Sequence, residues 1–206
     1  MKPNQTVTSL ALILTLLILA GCATRAPDPD ALAERGEWGE QRSAVEALER
    51  WRLAGRVGIR APGDSTTANL DWLQRPHYYR LLLSGPFGAG TSILEGRDGQ
   101  VSLTTNQGRF EAESPEALME EQLGWALPVS ALDHWVRGLP DPDSRHDLDH
   151  DDQGFPELLR QDGWEIEYRD WIDTETLWLP RRLIMTFDEI RVTLVVNEWR
   201  LEESGE

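Results

Sequence analysis

The sequence predicts a mainly β protein: an antiparallel sheet of about ten or eleven short strands, curled into an open barrel, with about three helices covering one mouth. Three observations predict it. After about position 50, apolar residues alternate with polar ones in short runs, the period of a half-buried strand. These runs follow one another through brief turns rich in Gly, Asp and Asn, which favours antiparallel neighbours over crossover connections. Only three stretches carry helix start signals or helical spacing, and no internal repeat points to a solenoid or propeller.

Residues 23–40 read as a tether, with Pro27, Pro29, scattered acids, and Gly36 and Gly39 around Trp38. A first helix is expected from Ser43 to Trp51: Ser43 can cap it, Glu46 stands at the capping-box position, and Val45, Leu48 and Trp51 recur at helical spacing. Alternation then begins, with Leu53, Val57 and Ile59 on one face of a strand softened by Gly55 and Gly58. Ala68–Leu73 reads as the returning strand, Tyr78–Leu83 as the third and Ser92–Glu95 as the fourth. Gln100–Thr105 and Gly108–Glu113 look like a hairpin turning at Asn106-Gln107-Gly108.

Ser114-Pro115-Glu116 supplies a cap, a proline at the first helical position and an early acid, so a helix runs from there to about Gly124. Another runs from about Val129 to Arg137, between Pro128 and Gly138. Residues 140–154 read as a hydrated acidic loop. Strands resume at Phe155–Gln161, Trp164–Asp170, Leu183–Phe187 and Ile190–Trp199, punctuated by Gln161-Asp162-Gly163 and Asp188-Glu189.

The amino-terminal end carries an address. An apolar run from Leu10 to Ala20 ends in Leu19-Ala20-Gly21-Cys22, which looks like a bacterial lipoprotein signal. Small residues before Cys22 admit a peptidase, and its thiol can take a thioether-linked diacylglycerol. Cys22 is the only cysteine, so a disulfide within the chain is excluded. The run is shorter than the roughly 20 residues needed to span a bilayer. The expected organisation is therefore a signal at 1–21, an acylated amino terminus and tether at 22–42, and a barrel domain at 43–206. Ala23, rather than an aspartate that retains lipoproteins in the inner membrane, implies an outer-membrane protein on the periplasmic face.

Composition excludes other partners. Asp and Glu number 36 against 20 Lys and Arg, and Lys2, the only lysine, leaves with the signal. Such a balance argues against nucleic acid and against docking on anionic headgroups by charge. Attachment then falls to acyl chains, at about 0.8 kcal/mol per buried methylene. Nine tryptophans either pack a core or line an apolar cavity.

No catalytic constellation stands out. Ser84, Ser92, Ser114 and Ser130 lack a nucleophile-elbow context, and Glu165 and Glu167 on one strand read as a solvated face. His146 and His150 among Asp147, Asp149, Asp151 and Asp152 are proper ligand types, but their spacing matches no calcium loop, so no metal is assigned. The glycine-rich stretch 84–90 lacks the lysine and following helix of a phosphate cradle. Its oddity is Phe87, an apolar side chain at a turn, held by Pro86 and flanked by Gly88. It either folds back on the sheet or protrudes toward a membrane or acyl chain.

Several segments, in order, resemble the LolB family of outer-membrane lipoprotein receptors. They are Trp51-Arg52-Leu53-Ala54-Gly55-Arg56, Trp72 with Gln74, and Tyr79-Arg80-Leu81-Leu82-Leu83 with Gly85-Pro86-Phe87-Gly88. Gly124 with Leu127-Pro128-Val129, Trp135-Val136-Arg137-Gly138-Leu139-Pro140, Gln161-Asp162-Gly163-Trp164 with Tyr168, Leu179-Pro180-Arg181-Arg182-Leu183 and Trp199 complete the set. The resemblance implies a half-open antiparallel β-barrel of eleven strands with helices as a lid over an apolar cavity. It implies a monomer that accepts triacylated lipoproteins from the periplasmic carrier LolA and inserts them into the outer membrane. No cofactor is implied beyond the N-acyl and S-diacylglycerol groups on Cys22. Pro86, Phe87 and Gly88 would form the membrane-insertion loop, with Phe87 where the family's loop is expected to carry leucine. Trp72, Leu81, Leu83, Trp135, Trp164 and Trp199 are the candidates for lining the lipid cavity. An envelope-anchored hydrolase and a structural scaffold lipoprotein remain the alternatives.

Overall fold

The computed structural model describes residues 35–85, 90–123 and 128–202. The folded unit begins at Gly36. Eleven strands form one sheet: β1 Trp51–Ala61, β2 Asp64–Arg75, β3 Tyr78–Ser84, β4 Thr91–Arg97, β5 Gln100–Thr105, β6 Gly108–Ala112, β7 His146–His150, β8 Pro156–Gln161, β9 Trp164–Asp173, β10 Trp178–Phe187 and β11 Ile190–Leu201. Among the described residues the helices are α1 Trp38–Glu46, α2 Pro115–Leu123 and α3 Val129–Trp135. Strand order is β6-β5-β4-β3-β2-β1-β11-β10-β9-β8-β7, and every neighbouring pair is antiparallel. The first and last strands meet at the centre. The sheet curls without closing, so β6 and β7 remain its two edges, a half-open barrel.

One face of the sheet is apolar because register places like with like. Leu53 opposes Trp72, Trp72 opposes Leu81, Leu81 opposes Leu94, and Leu94 opposes Leu103, an unbroken row over five strands. On the other side Val192, Met185, Ile166, Leu159 and Leu148 continue the pattern across β11 to β7. A one-residue slip in any strand would turn its row to water, so burial holds the register. Curvature comes from a bulge between Ala54 and Gly55 opposite β11. A Cβ on Gly55 would lie 2.3 Å from the Val195 main-chain oxygen, so only glycine fits there. The turns at Asp98-Gly99 and Asp162-Gly163 have positive φ at both residues, the backbone that two-residue hairpins require.

Three expectations change. The first helix is not Ser43–Trp51 but α1, Trp38–Glu46; Ser43 lies inside it, and Trp51 opens β1. Tertiary packing overrides the capping box. Trp38 packs against Phe155 and Trp171, each with ring centroids 5.4 Å away, and its amide donates to the Gln153 oxygen at 3.0 Å. The stretch expected to be tether to residue 42 is therefore folded from Trp38 onward. The acidic stretch 140–154 likewise contains a strand. In β7, Leu148 packs against the core while Asp147 and Asp149 face Arg160 of β8, at 3.4 and 3.1 Å. Charge alternation around one apolar residue hid a strand period within an acidic run.

Candidate functional site

The three helices sit over the apolar face and are tied to it by polar contacts. In α1, Gln41 imitates a strand: its Nε2 donates to the Trp178 oxygen and its Oε1 accepts from the Trp178 amide, both at 2.8 Å. In α3, Trp135 is fully buried and donates from Nε1 to Gln161 Oε1 at 2.8 Å, while Tyr168 donates its hydroxyl to the Trp135 oxygen at 3.0 Å. Gln161 is itself buried and also donates to the Asp141 oxygen at 2.7 Å. Arg137 follows α3 and is buried, with Nη1 donating to the Val45 oxygen at the end of α1 at 2.9 Å. A cation suits the carbonyl end of a helix. In α2, Glu116 accepts from the Ser130 amide at 2.9 Å, which joins α2 to α3.

Beside the Trp38–Trp171 pair, two further tryptophan groups lie beneath this lid. Trp51 lies between Trp72 and Trp199, with centroids at 5.1 and 5.3 Å. Trp135 lies 6.2 Å from Trp164, which stacks on Phe187. Of the expected cavity residues, Trp72, Leu81 and Leu83 share the concave face of β2 and β3, with Leu83 half-buried and the other two buried. Trp135, Trp164 and Trp199 are buried in the packed region, and Trp199 donates to the Pro180 oxygen at 3.0 Å.

Trp72 also reaches a recess of about 200 Å³ between the lid and the β2–β3 hairpin, lined in addition by Gln74, Tyr79, Pro115, Ser130 and Asp133. Trp72 Nε1 donates to Gln74 Oε1 at 3.1 Å on its wall. The Tyr79 hydroxyl and Asp133 Oδ1 are buried without a hydrogen-bond partner among the described residues. Burial, with Glu116 adding a smaller effect, pushes the Tyr79 hydroxyl up to about 12, so it is protonated and able to donate. Its ring crosses Gly96 so closely that a Cβ there would lie 2.1 Å from Tyr79 Cε1. A larger cleft of about 430 Å³, bordered by Arg97, Arg109, Glu95 and Glu111, has walls of mixed charge.

Cys22, Pro86, Phe87 and Gly88 lie outside the described residues. The stem of the loop at 86–89 is described: Ser84 pairs with Thr91, and the Gly85 amide donates to the Gly90 oxygen at 3.0 Å. Among the described residues, no group of three or more His, Cys, Asp or Glu side chains is arranged to hold a metal ion. Sequence reasoning did not single out Tyr79, Asp133 or Gln161 as site residues. Gln161 had a legible signal, a polar residue at an inward position of an alternating strand. Tyr79 had none, because its environment is made by Gly96 and by helices distant in sequence.

Comparison with known proteins bears on what this arrangement does. A family model described as outer membrane lipoprotein LolB matches residues 49–199. The chain is 59% identical over 192 residues to the outer-membrane lipoprotein LolB of Chromohalobacter salexigens, covering 93% of this chain and 89% of that one. It is 47% identical over 194 residues to the protein of that name from Pseudomonas aeruginosa, covering 92% and 94%. Among solved structures, a LolA superfamily protein from Nitrosomonas europaea aligns with a TM-score of 0.51 at 9% identity, over 82% of this chain and 95% of that one. A DUF1329 family protein from Desulfovibrio piger aligns with a TM-score of 0.54 at 6% identity, over 81% and 91%. Both structural likenesses concern the fold alone.

Proposed function

This chain belongs to the LolB family of outer-membrane lipoproteins, and from that premise we propose that its barrel accepts triacylated lipoproteins from the periplasmic carrier LolA and inserts them into the outer membrane. It is an outer-membrane localisation factor, not an enzyme. Our reading adds that the protein faces the periplasm and is held there by acyl groups on Cys22.

The observation that carries the reading is the unbroken apolar row from Leu53 to Leu103, lying in a sheet that curls without closing. An acyl chain of about 16 carbons exposed to water costs on the order of 12 kcal/mol, so a handover needs apolar surface continuous between donor and acceptor. A curled open sheet offers such a surface while its backbone hydrogen bonds stay paired. Apolar side chains give weakly directional affinity, which suits cargo proteins that share only their lipid. The sequence has no phosphate-binding loop, so transfer runs downhill from carrier to receptor to membrane. In this reading Cys22 fixes location, and Phe87 at the tip of the β3–β4 loop meets the bilayer.

The test uses the chain with Cys22→Ala, released as a soluble protein, and LolA loaded with a lipoprotein. The soluble variant should take the cargo in a pull-down; failure to take any would refute the proposal. Phe87→Glu should leave acceptance within about twofold and impair delivery to liposomes. Equal loss of both steps would assign Phe87 to the core instead.

A further inference from the structure

The end of the sheet that carries the stem of the β3–β4 loop also carries an unneutralised basic face. Arg60 of β1 lies directly opposite Arg191 of β11. Arg56 of β1 and Arg182 of β10 both lie opposite Val195, on the same outer face and further along the strands. All four are exposed, and none ion-pairs with a carboxylate among the described residues. Like charges directly opposite one another destabilise a sheet. Acidic residues outnumber basic ones by 36 to 20, and Asp188 and Glu189 stand in the adjoining turn, so these arginines are not short of candidate partners. Phe187 ends β10 beside them, opposite Ile190. It is the only large apolar side chain that stands exposed among the described residues, at 40%, and it stacks on Trp164 with ring centroids 5.4 Å apart. One exposed phenylalanine alone is ordinary. An apolar tip beside unpaired arginines is the composition of a surface that lies in a membrane interface.

We propose that this end of β10, β11 and β1 docks on the phospholipid bilayer, with Phe187 entering the boundary between headgroups and acyl chains. Arg60 and Arg191, backed by Arg56 and Arg182, bind headgroup phosphates. A guanidinium grips a phosphate through a planar fork, and phosphates between Arg60 and Arg191 offset their repulsion. The acidic balance of the whole chain does not forbid this, because exposed charges beyond roughly 8 Å are largely screened at physiological ionic strength and the local face is basic. The inference rests on the outer-membrane reading above. It adds a second bilayer contact, separated by β2 from the strands that hold the loop stem, and two separated contacts fix how the barrel end sits on a plane.

The experiment measures co-sedimentation of the soluble Cys22→Ala protein with vesicles of phosphatidylethanolamine and phosphatidylglycerol, at low and high sodium chloride, alongside the LolA pull-down. Arg60→Gln combined with Arg191→Gln should lower vesicle binding about tenfold and flatten its salt dependence. Phe187→Ser should lower binding at both salt concentrations. Arg50→Gln combined with Arg97→Gln removes the same charge at the other end of the sheet and should leave binding within about twofold. Because Arg60 and Arg191 repel each other in the free protein, their double replacement should keep or raise the thermal midpoint. Every variant should take cargo from LolA as the parent does. Equal loss of vesicle binding in the two double variants overturns the proposal, since net charge then accounts for it. A parent that binds no vesicles overturns it as well and leaves the receptor reading to the pull-down. Loss of cargo acceptance by Arg60→Gln with Arg191→Gln, with vesicle binding intact, overturns it by making the face a protein contact. A parent that takes no cargo refutes the receptor reading instead, whatever the vesicles show.

Discussion

The buried guanidinium of Arg137 reaches across 92 residues of sequence to the main-chain oxygen of Val45, at 2.9 Å. The same side chain bonds the Asp133 oxygen at 3.0 Å and the Asp133 carboxylate at 3.3 Å. One residue thus fastens the end of α1 to α3.

Arg137→Met should therefore lower stability by about 3–5 kcal/mol, because it strips the Asp133 carboxylate and main-chain oxygen of their donor and leaves the Val45 oxygen only the Leu48 amide. Urea unfolding should show a lower midpoint with an unchanged slope. Arg137→Lys should recover little, since an ammonium cannot reach all three acceptors with a planar fork. An unfolding free energy within about 0.5 kcal/mol of the parent would refute this role.

Gly96→Ala should cost about 1–3 kcal/mol, the range for overpacking a well-filled site. The cause is the 2.1 Å approach of the new Cβ to Tyr79 Cε1. Combining it with Tyr79→Leu should remove most of the cost, and a double-mutant cycle measures the coupling. Additive effects would show that the two residues do not meet.

Alkaline unfolding should be governed by tyrosine. The sequence has three tyrosines, and its only lysine is Lys2. Burial pushes Tyr168 well above its ordinary range and Tyr79 to about 12; burial and the hydrogen bond to Glu95 raise Tyr78. The folded state keeps protons that the unfolded chain releases near pH 10, so this contribution is intact below that pH and lost as pH rises through the folded values. The loss for Tyr168 is about 1.4 kcal/mol per pH unit. Urea midpoints from pH 8 to 11.5 should fall only above 10, and Tyr168→Phe should make that fall shallower. An unchanged slope would exclude Tyr168 as its source.

Added salt should stabilise the fold. A net charge of −16 repels itself in the compact state. The opposing loss is small, because exposed pairs such as Arg42–Glu46 contribute about 0.2–1 kcal/mol each. Raising sodium chloride from about 0.1 to 1 M shortens the screening length from roughly 10 to 3 Å. The thermal midpoint should rise, at roughly 2–4 °C per kcal/mol for a domain of this size. A falling midpoint would show that the ion pairs outweigh the repulsion.

Ten of the strands and the positions of α2 and α3 were legible because each rests on a local pattern: period-two alternation, a Ser-Pro-Glu start, or a glycine stop. Where the pattern misled, long-range packing was stronger. The capping box at Ser43 lost to the fit of Trp38 between Phe155 and Trp171. The acidic run at 146–150 became a strand because Arg160 neutralises one side and Leu148 packs on the other.

By itself the sequence determined the class of the fold, the family and the faces of most strands, because these depend on residues near one another in the chain. It did not determine which buried residues surround space and which fill it. Alternation gives direction but not volume. That Trp72 borders a recess while Trp199 lies in packed core follows from where a curling sheet brings α2 and α3 to rest.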